Sequence, residues 1–269
     1  MDLTNNVDYI KLNKESWESR LQTHLDSEFY AVAKFKQGAS SLNQIELDML
    51  GDIQGKSILH LQCHFGQDSM SLSRMGAQVT GVDFSEDSIK KAQEIAFELG
   101  LDTQFVCCDI YDLKNHLDQK FDIVFTTYGT ITWLPDLDRW ADIIQHFLKP
   151  GGEFVFAEFH PFVWMFDDDL KKVIYNYDNK EAIVEEEEGT YANPDSKITQ
   201  TSMTWNHAMS EVLTSLIQHK LMITDIMEYD YAPYPFVKNC EEFETGKYRI
   251  THFKNRIPLV YSIKAIKTQ

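Results

Sequence analysis

One glycine and one acid give the first chemical hint in this chain. Gly66 closes the turn Gln62-Cys63-His64-Phe65-Gly66 after the apolar run Ser57–Leu61, and Asp83 closes the next apolar run seventeen residues later. That interval suits a strand, a tight turn, a helix and a second strand, with the glycine letting backbone approach a ligand closely. A carboxylate at the end of the second strand could accept hydrogen bonds from both hydroxyls of a ribose. Asp109 follows the run Thr103–Cys108 and could accept the amino group of adenine while Ile110 packs on the ring. It could equally cap a turn.

The elements that must position these residues alternate regularly. Strands are expected at Ser57–Leu61, Gln78–Asp83, Thr103–Cys108, Phe121–Thr126 and Glu153–Glu158. Helix stripes lie between them, one on Ile89, Ala92, Ile95, Ala96 and Leu99 and another on Trp140, Ile143, Ile144, Phe147 and Leu148. Ser85 reads as the N-cap of the first helix, and Pro150-Gly151-Gly152 as the stop of the second. A third stripe on Met209, Val212, Leu213, Leu216 and Ile217 precedes strand-like runs Met222–Tyr229 and Pro258–Ile266. The expected fold is α/β: a doubly wound seven-stranded sheet, mostly parallel, with an antiparallel C-terminal hairpin and helices on both faces. Residues 1–54 read as an N-terminal helical cap or lid, with Trp17, Leu21, Leu25, Phe29 and Tyr30 on one helix face. Residues 55–269 form the main domain, with an aromatic and acidic insertion at about 161–203 over the sheet's edge.

Composition narrows the partners. A formal charge of −17 argues against nucleic acid or an anionic membrane surface, since both demand a basic face. The acid runs Glu185–Glu188 and Asp167–Asp169 read as solvated surface. Four cysteines without C-x-x-C or metal-ligand spacing imply neither a disulfide framework nor a metal site, and point to a reducing cytoplasm. No apolar run approaches a membrane span.

Four segments together resemble the class I S-adenosylmethionine-dependent methyltransferases. His60-Leu61-Gln62-Cys63-His64-Phe65-Gly66 aligns with their first motif, "VTGVDFSEDSIKKA" with their second strand and helix, and "FVCCDIYDL" with their adenine segment. "FDIVFTTYGTITWLPDLDRWADIIQHFLKPGGEFVFAEF" is similar to their fourth strand, helix, Leu-Lys-Pro-Gly-Gly turn and fifth strand. The first motif departs from the pattern: His60 stands for the usual acid, and Gln62 and His64 stand for two of three glycines. It is similar to that of a bacterial small-molecule subgroup with an HLQCHFGQD-type turn. Asp68 or Glu46 could supply the missing carboxylate.

The resemblance implies a Rossmann-like fold, S-adenosyl-L-methionine as cofactor, S-adenosyl-L-homocysteine as product, and no metal. It implies a cofactor site drawn from Gln62, Cys63, His64, Gly66, Asp68, Asp83, Phe84, Ser85, Cys108, Asp109, Ile110, Thr126 and Tyr128. Tyr128, Trp133 and Tyr30 would line a substrate pocket. His160 after the fifth strand and His207 at the start of the late helix are candidate general bases. The segment after the fourth strand lacks a catechol-type carboxylate and an Asn-Pro-Pro-Tyr signature, which favours a small-molecule acceptor. Two other classes remain open from sequence: a non-catalytic nucleoside binder, and an NAD-dependent oxidoreductase, against which the crowded turn counts.

Overall fold

The computed structural model describes residues 8–167 and 169–268. The first seven residues of the expected cap, Asp168 of the acidic run and Gln269 lie outside the described residues. In chain order the elements are α1 (Tyr9–Leu25), α2 (Val32–Lys36), α3 (Gln44–Leu50), β1 (Ser57–Leu61), α4 (Gln67–Arg74), β2 (Gln78–Asp83), α5 (Glu86–Leu99), β3 (Gln104–Cys107) and β4 (Phe121–Thr127). They continue with α6 (Leu137–Phe147), β5 (Leu148–Phe159), β6 (Ile183–Glu188), β7 (Thr199–Thr204), α7 (Met209–Gln218), β8 (Leu221–Tyr229), β9 (Cys240–Glu244), β10 (Lys247–Ile250) and β11 (Val260–Lys267).

Seven strands form one sheet in the order β3-β2-β1-β4-β5-β11-β8. β1 pairs β2, and β2 pairs β3, in parallel, whereas β11 runs antiparallel to both β5 and β8. The antiparallel ending was therefore legible. Its long connection is not bare loop, because it carries the antiparallel pair β9–β10. All five residues of β1 are buried, as a strand covered on both faces requires.

The chain groups into two compact units. The first holds residues 1–42, 53–121 and 182–204; the second holds 43–52, 122–181 and 205–269. In this grouping the N-terminal segment expected at 1–54 is divided, α1 and α2 going with the first unit and α3 with the second. The expected insertion is likewise divided. Its later part, β6 and β7, is a separate two-stranded sheet whose β7 packs on α1.

In the first unit, α5 follows its sequence signals closely. Ser85 Oγ accepts the Ser88 N–H at 3.2 Å, Glu86 and Asp87 occupy the first turn, and Gly100 closes the helix at φ 65°. α1 does not follow its apolar pattern. Its buried residues are Asn13, Ser16, Arg20, Leu21 and His24, a mostly polar stripe, while Trp17 and Leu25 are only half-buried. Asn13 explains part of this. Its side chain donates to the Met203 carbonyl and accepts the Met203 N–H, both at 2.8 Å, and so clips α1 to β7.

In the second unit, Trp140, Phe154, Phe156 and Tyr261 pack edge-on or stacked in a core between α6 and the strands β5 and β11. α6 ends at Phe147, before the expected stop. Leu148 is already extended (φ −72°, ψ 138°), and Pro150-Gly151-Gly152 lies inside β5. A proline disfavours helix at the residue before it, so Lys149 cannot extend α6 cheaply.

Gly66 and Gly100 both lie at positive φ, yet differ in surroundings. A Cβ on Gly66 would stand 2.5 Å from the Phe105 ring and 3.1 Å from Ala92 Cβ, whereas one on Gly100 meets nothing within 4 Å. Gly100→Ala should therefore cost about 1 kcal/mol, the left-handed penalty alone. Gly66→Ala should cost about 2–4 kcal/mol, since overpacking adds to it. Urea denaturation of both variants checks the difference.

Candidate functional site

Within the first unit, β1 delivers the chain into the turn 62–66. Gln62 (φ 55°), His64 (φ 51°) and Gly66 (φ 77°) all adopt the left-handed region. These are the three positions that aligned with motif glycines. The backbone conformation is kept although two positions carry side chains, at about 1–2 kcal/mol each. Gly66 is also demanded by packing, since a Cβ there would meet the Phe105 ring.

Two bonds fix the turn to β2. The Cys63 N–H donates to the Val82 carbonyl at 2.9 Å, and the His64 N–H donates to Asp83 Oδ2 at 2.8 Å. Asp83 Oδ1 accepts the Ser85 N–H at 3.0 Å. Burial pushes the Asp83 carboxyl up to about 6, against the pull of these backbone bonds. Phe84 is half-buried and Ser85 is committed to capping α5.

His60, in the acid's place, bonds Ser69 Oγ through Nδ1 at 2.8 Å. Burial lowers it to about 3, so it is neutral and supplies no negative charge. Asp68 lies half-buried in the first turn of α4. Cys63 is buried, and desolvation carries its thiol well above the ordinary range. Cys108 donates its N–H to the Asp83 carbonyl at 3.0 Å, and burial raises its thiol to about 12. Asp109 is half-buried and caps the short 3-10 turn Ile110–Asn115 through the Tyr111 N–H at 2.9 Å. Ile110 is buried, at 4% exposed.

The side chain of His64 leads to a group the sequence reading missed. Its Nε2 lies 3.0 Å from His24 Nδ1, and its Nδ1 lies 3.2 Å from Ser88 Oγ. Burial, with the nearby Arg20 charge, lowers His24 to about 3, and burial with the neighbouring His24 and Arg20 holds His64 well below its ordinary value, so both rings are neutral and one donates to the other. Trp17, Tyr30 and Tyr191 pack against these rings, and the Tyr30 and Tyr191 hydroxyls share a hydrogen bond. The clue available beforehand was the spacing of Asn13, Ser16, Arg20 and His24, which places four polar residues on one face of α1.

Within the second unit, β4 ends at Thr127, and Thr126 is fully buried in it. Tyr128 follows at φ 28°, a strained conformation for a large residue. Its N–H donates to the Ala157 carbonyl at 2.9 Å, and its hydroxyl donates to Glu46 Oε2 at 2.8 Å. The following turn wraps a second buried acid. Glu158 accepts the backbone N–H groups of Gly129, Thr130, Ile131 and Phe159, and the Thr130 hydroxyl as well. Burial raises this carboxyl while the four N–H groups pull it down. Trp133 is half-buried at the end of the 3-10 turn Ile131–Trp133.

The two proposed bases are differently placed from expectation. His160 Nε2 lies 2.8 Å from Glu228 Oε1, while its Nδ1 accepts the Phe162 N–H at 3.2 Å. His207 Nε2 donates to the Leu134 carbonyl at 2.8 Å, and Nδ1 lies 3.2 Å from Glu211. Every ring nitrogen is engaged. His207 and Glu158 line a cavity of only about 10 Å³, room for one water.

The arrangement around Glu158 makes a sharp expectation. Every atom facing its carboxylate is a donor, so Glu158→Gln turns an amide against N–H groups and should cost about 2–4 kcal/mol. Thermal unfolding of the variant measures it.

Comparison with known proteins bears on the whole arrangement. Residues 54–227 match the family model described as a methyltransferase domain. A ubiquinone biosynthesis O-methyltransferase of Chromobacterium violaceum is 30% identical over 155 residues, 56% of this chain and 63% of that protein. The protein of the same name from Idiomarina loihiensis is 35% identical over 103 residues, 38% of this chain and 42% of that one. The matched stretches thus span less than two thirds of these relatives. Among solved structures, an S-adenosylmethionine-dependent methyltransferase of Clostridium acetobutylicum matches at a TM-score of 0.57 and 15% identity, covering 96% of this chain and 99% of that one. Geranyl diphosphate C-methyltransferase of Streptomyces coelicolor, solved with S-adenosyl-L-homocysteine, matches at 0.56 and 15%, covering 84% and 79%. At such identity these likenesses speak for the fold. With the matched family model over most of its length and the four motif segments in order, the chain belongs to the class I S-adenosylmethionine-dependent methyltransferases.

Proposed function

We propose that this protein transfers the methyl group of S-adenosyl-L-methionine to a small-molecule acceptor, leaving S-adenosyl-L-homocysteine. The observation that carries the reading is the turn 62–66, left-handed at all three motif positions and hydrogen-bonded to the buried carboxylate of Asp83. That backbone costs strain at Gln62 and His64, and strain of this kind persists where function over-determines it.

The residues present fit the cofactor. Asp83 Oδ2 accepts the His64 N–H and Oδ1 the Ser85 N–H, and a carboxylate with about four acceptor sites can take ribose hydroxyls besides. Asp109 and the backbone at Cys108, just past the end of β3, are assigned to the adenine. The cofactor supplies an activated methyl on a sulfonium, so the protein's task is alignment and exclusion of water. Asp83 orients the nucleoside, and the Gln62–Gly66 backbone gives it a rigid rim. His160 and His207 are assigned to holding their strands and helix. The ubiquinone biosynthesis O-methyltransferases among the relatives support a small-molecule acceptor.

Among the described residues no helix is long and apolar enough to cross a membrane.

Calorimetric titration tests the reading. Wild-type protein should bind S-adenosyl-L-homocysteine in the micromolar range and NAD not at all, and Asp83→Ala should lose the former. A folded wild type that ignores S-adenosyl-L-homocysteine would refute the proposal.

Affinity should also follow pH. The hydroxyls donate to ionised Asp83, whose carboxyl burial holds at about 6, so binding weakens as pH falls through that value. The loss should be roughly tenfold between about pH 7 and pH 5, and absent in Asp83→Asn. In the ligand-free protein the sign reverses. A carboxyl raised on folding favours the fold at low pH, and that contribution is lost as pH rises through about 6.

A further inference from the structure

A glycine at position 64 would take the left-handed backbone of the turn without strain, yet a histidine stands there at φ 51°. Its ring is gripped from two elements of the first unit. Nε2 lies 3.0 Å from His24 Nδ1 of α1, and Nδ1 lies 3.2 Å from Ser88 Oγ of α5. Trp17, also of α1, packs edge-on against the same ring with centres 5.1 Å apart. The N–H of this residue is the one that Asp83 Oδ2 accepts at 2.8 Å. One residue thus joins the acid at the end of β2, through its backbone, to α1, through its side chain.

α1 depends on such pairs. Of its buried residues Asn13, Ser16, Arg20, Leu21 and His24, only Leu21 is apolar. Asn13 is matched to Met203, Arg20 to Glu187 at 3.6 Å, and His24 to His64. A helix held by polar pairs gives up less apolar burial on lifting away than one with an apolar face, so its docking turns on whether the pairs are made. His24 is fully buried, and its Nε2 has no hydrogen-bond partner among the described residues. Packing alone does not require that cost, since a leucine would fill similar space without a stranded polar atom.

We propose that His24 and His64 form a latch between α1 and the turn 62–66, so that docking of the helix and the ligand-binding shape of the turn are coupled. The inference rests on the methyltransferase reading for its ligand. It makes His24 a positioning residue that acts through His64 on Asp83. Such coupling is reciprocal: a nucleoside that fixes the turn tightens α1, and a docked α1 raises nucleoside affinity by the same factor.

The test compares the full chain with His24→Leu, His64→Gly and the double variant. Hydrogen exchange is read first, without ligand. His24→Leu should speed exchange of the residue-64 N–H severalfold, although the bond from that N–H to Asp83 is not itself removed. His64→Gly should speed exchange in the last turns of α1, and as the unstrained residue it serves should His24→Leu not fold. S-adenosyl-L-homocysteine is then titrated calorimetrically. Each single variant should bind it about tenfold more weakly, and the double variant no more weakly than His64→Gly, as one shared interaction demands. In wild type the ligand should slow exchange in α1, and both single variants should lose that protection. Unmoved exchange in folded variants overturns the proposal. Additive losses of affinity overturn it too, as does a lower melting temperature with unmoved affinity, the mark of packing alone. Failure of wild type to bind S-adenosyl-L-homocysteine refutes the methyltransferase reading instead, and the ligand-free exchange then still judges the latch.

Discussion

The buried carboxylate of Asp83 is the constraint on which the first unit's site depends. Its two oxygens take the amides of His64 and Ser85, one from the turn after β1 and one from the cap of α5. A single acid therefore fixes both the shape of the turn and the start of the following helix. This explains how Gln62 and His64 can occupy left-handed positions without glycine: the amides are held from outside, so local preference does not decide the backbone. The family's glycines make such a turn easy. Here it is enforced.

The second unit uses buried acids to tie different parts of the chain. Glu158 is saturated by backbone N–H groups and works as an internal template for the turn after β4. Glu46 is as deeply buried and gathers the backbone and side-chain N–H groups of Asn43, its own backbone N–H and the Tyr128 hydroxyl, so it caps α3 and holds that helix to the residue after β4.

The sheet was largely legible in the sequence because its signals are local. Apolar runs marked the strands, Ser85 with Glu86 and Asp87 announced α5, and Asp83 fell at a strand end as expected. What escaped depends on partners far apart in the chain. Asn13 meets Met203, His24 meets His64, Glu46 meets Tyr128, and Glu158 meets Gly129 through Ile131. Periodicity also misjudged α1, since it assumes the buried face is the apolar one, and here polar pairing outweighs apolar burial. His160 and His207 looked catalytic because a histidine near a strand end is chemically suggestive. Only the positions of Glu228, Phe162, Leu134 and Glu211 reveal that their nitrogens are occupied.

Asn13 holds β7 through the peptide group of Met203, with both bonds going to main-chain atoms. Such a clip is indifferent to side-chain identity. Glu187 is tied to α1 as well, pairing with the buried Arg20 at 3.6 Å, but the other outward residues of the β6–β7 hairpin can change over evolutionary time without loosening this clip. The protein thus carries a segment whose main-chain anchorage is independent of most of its surface chemistry.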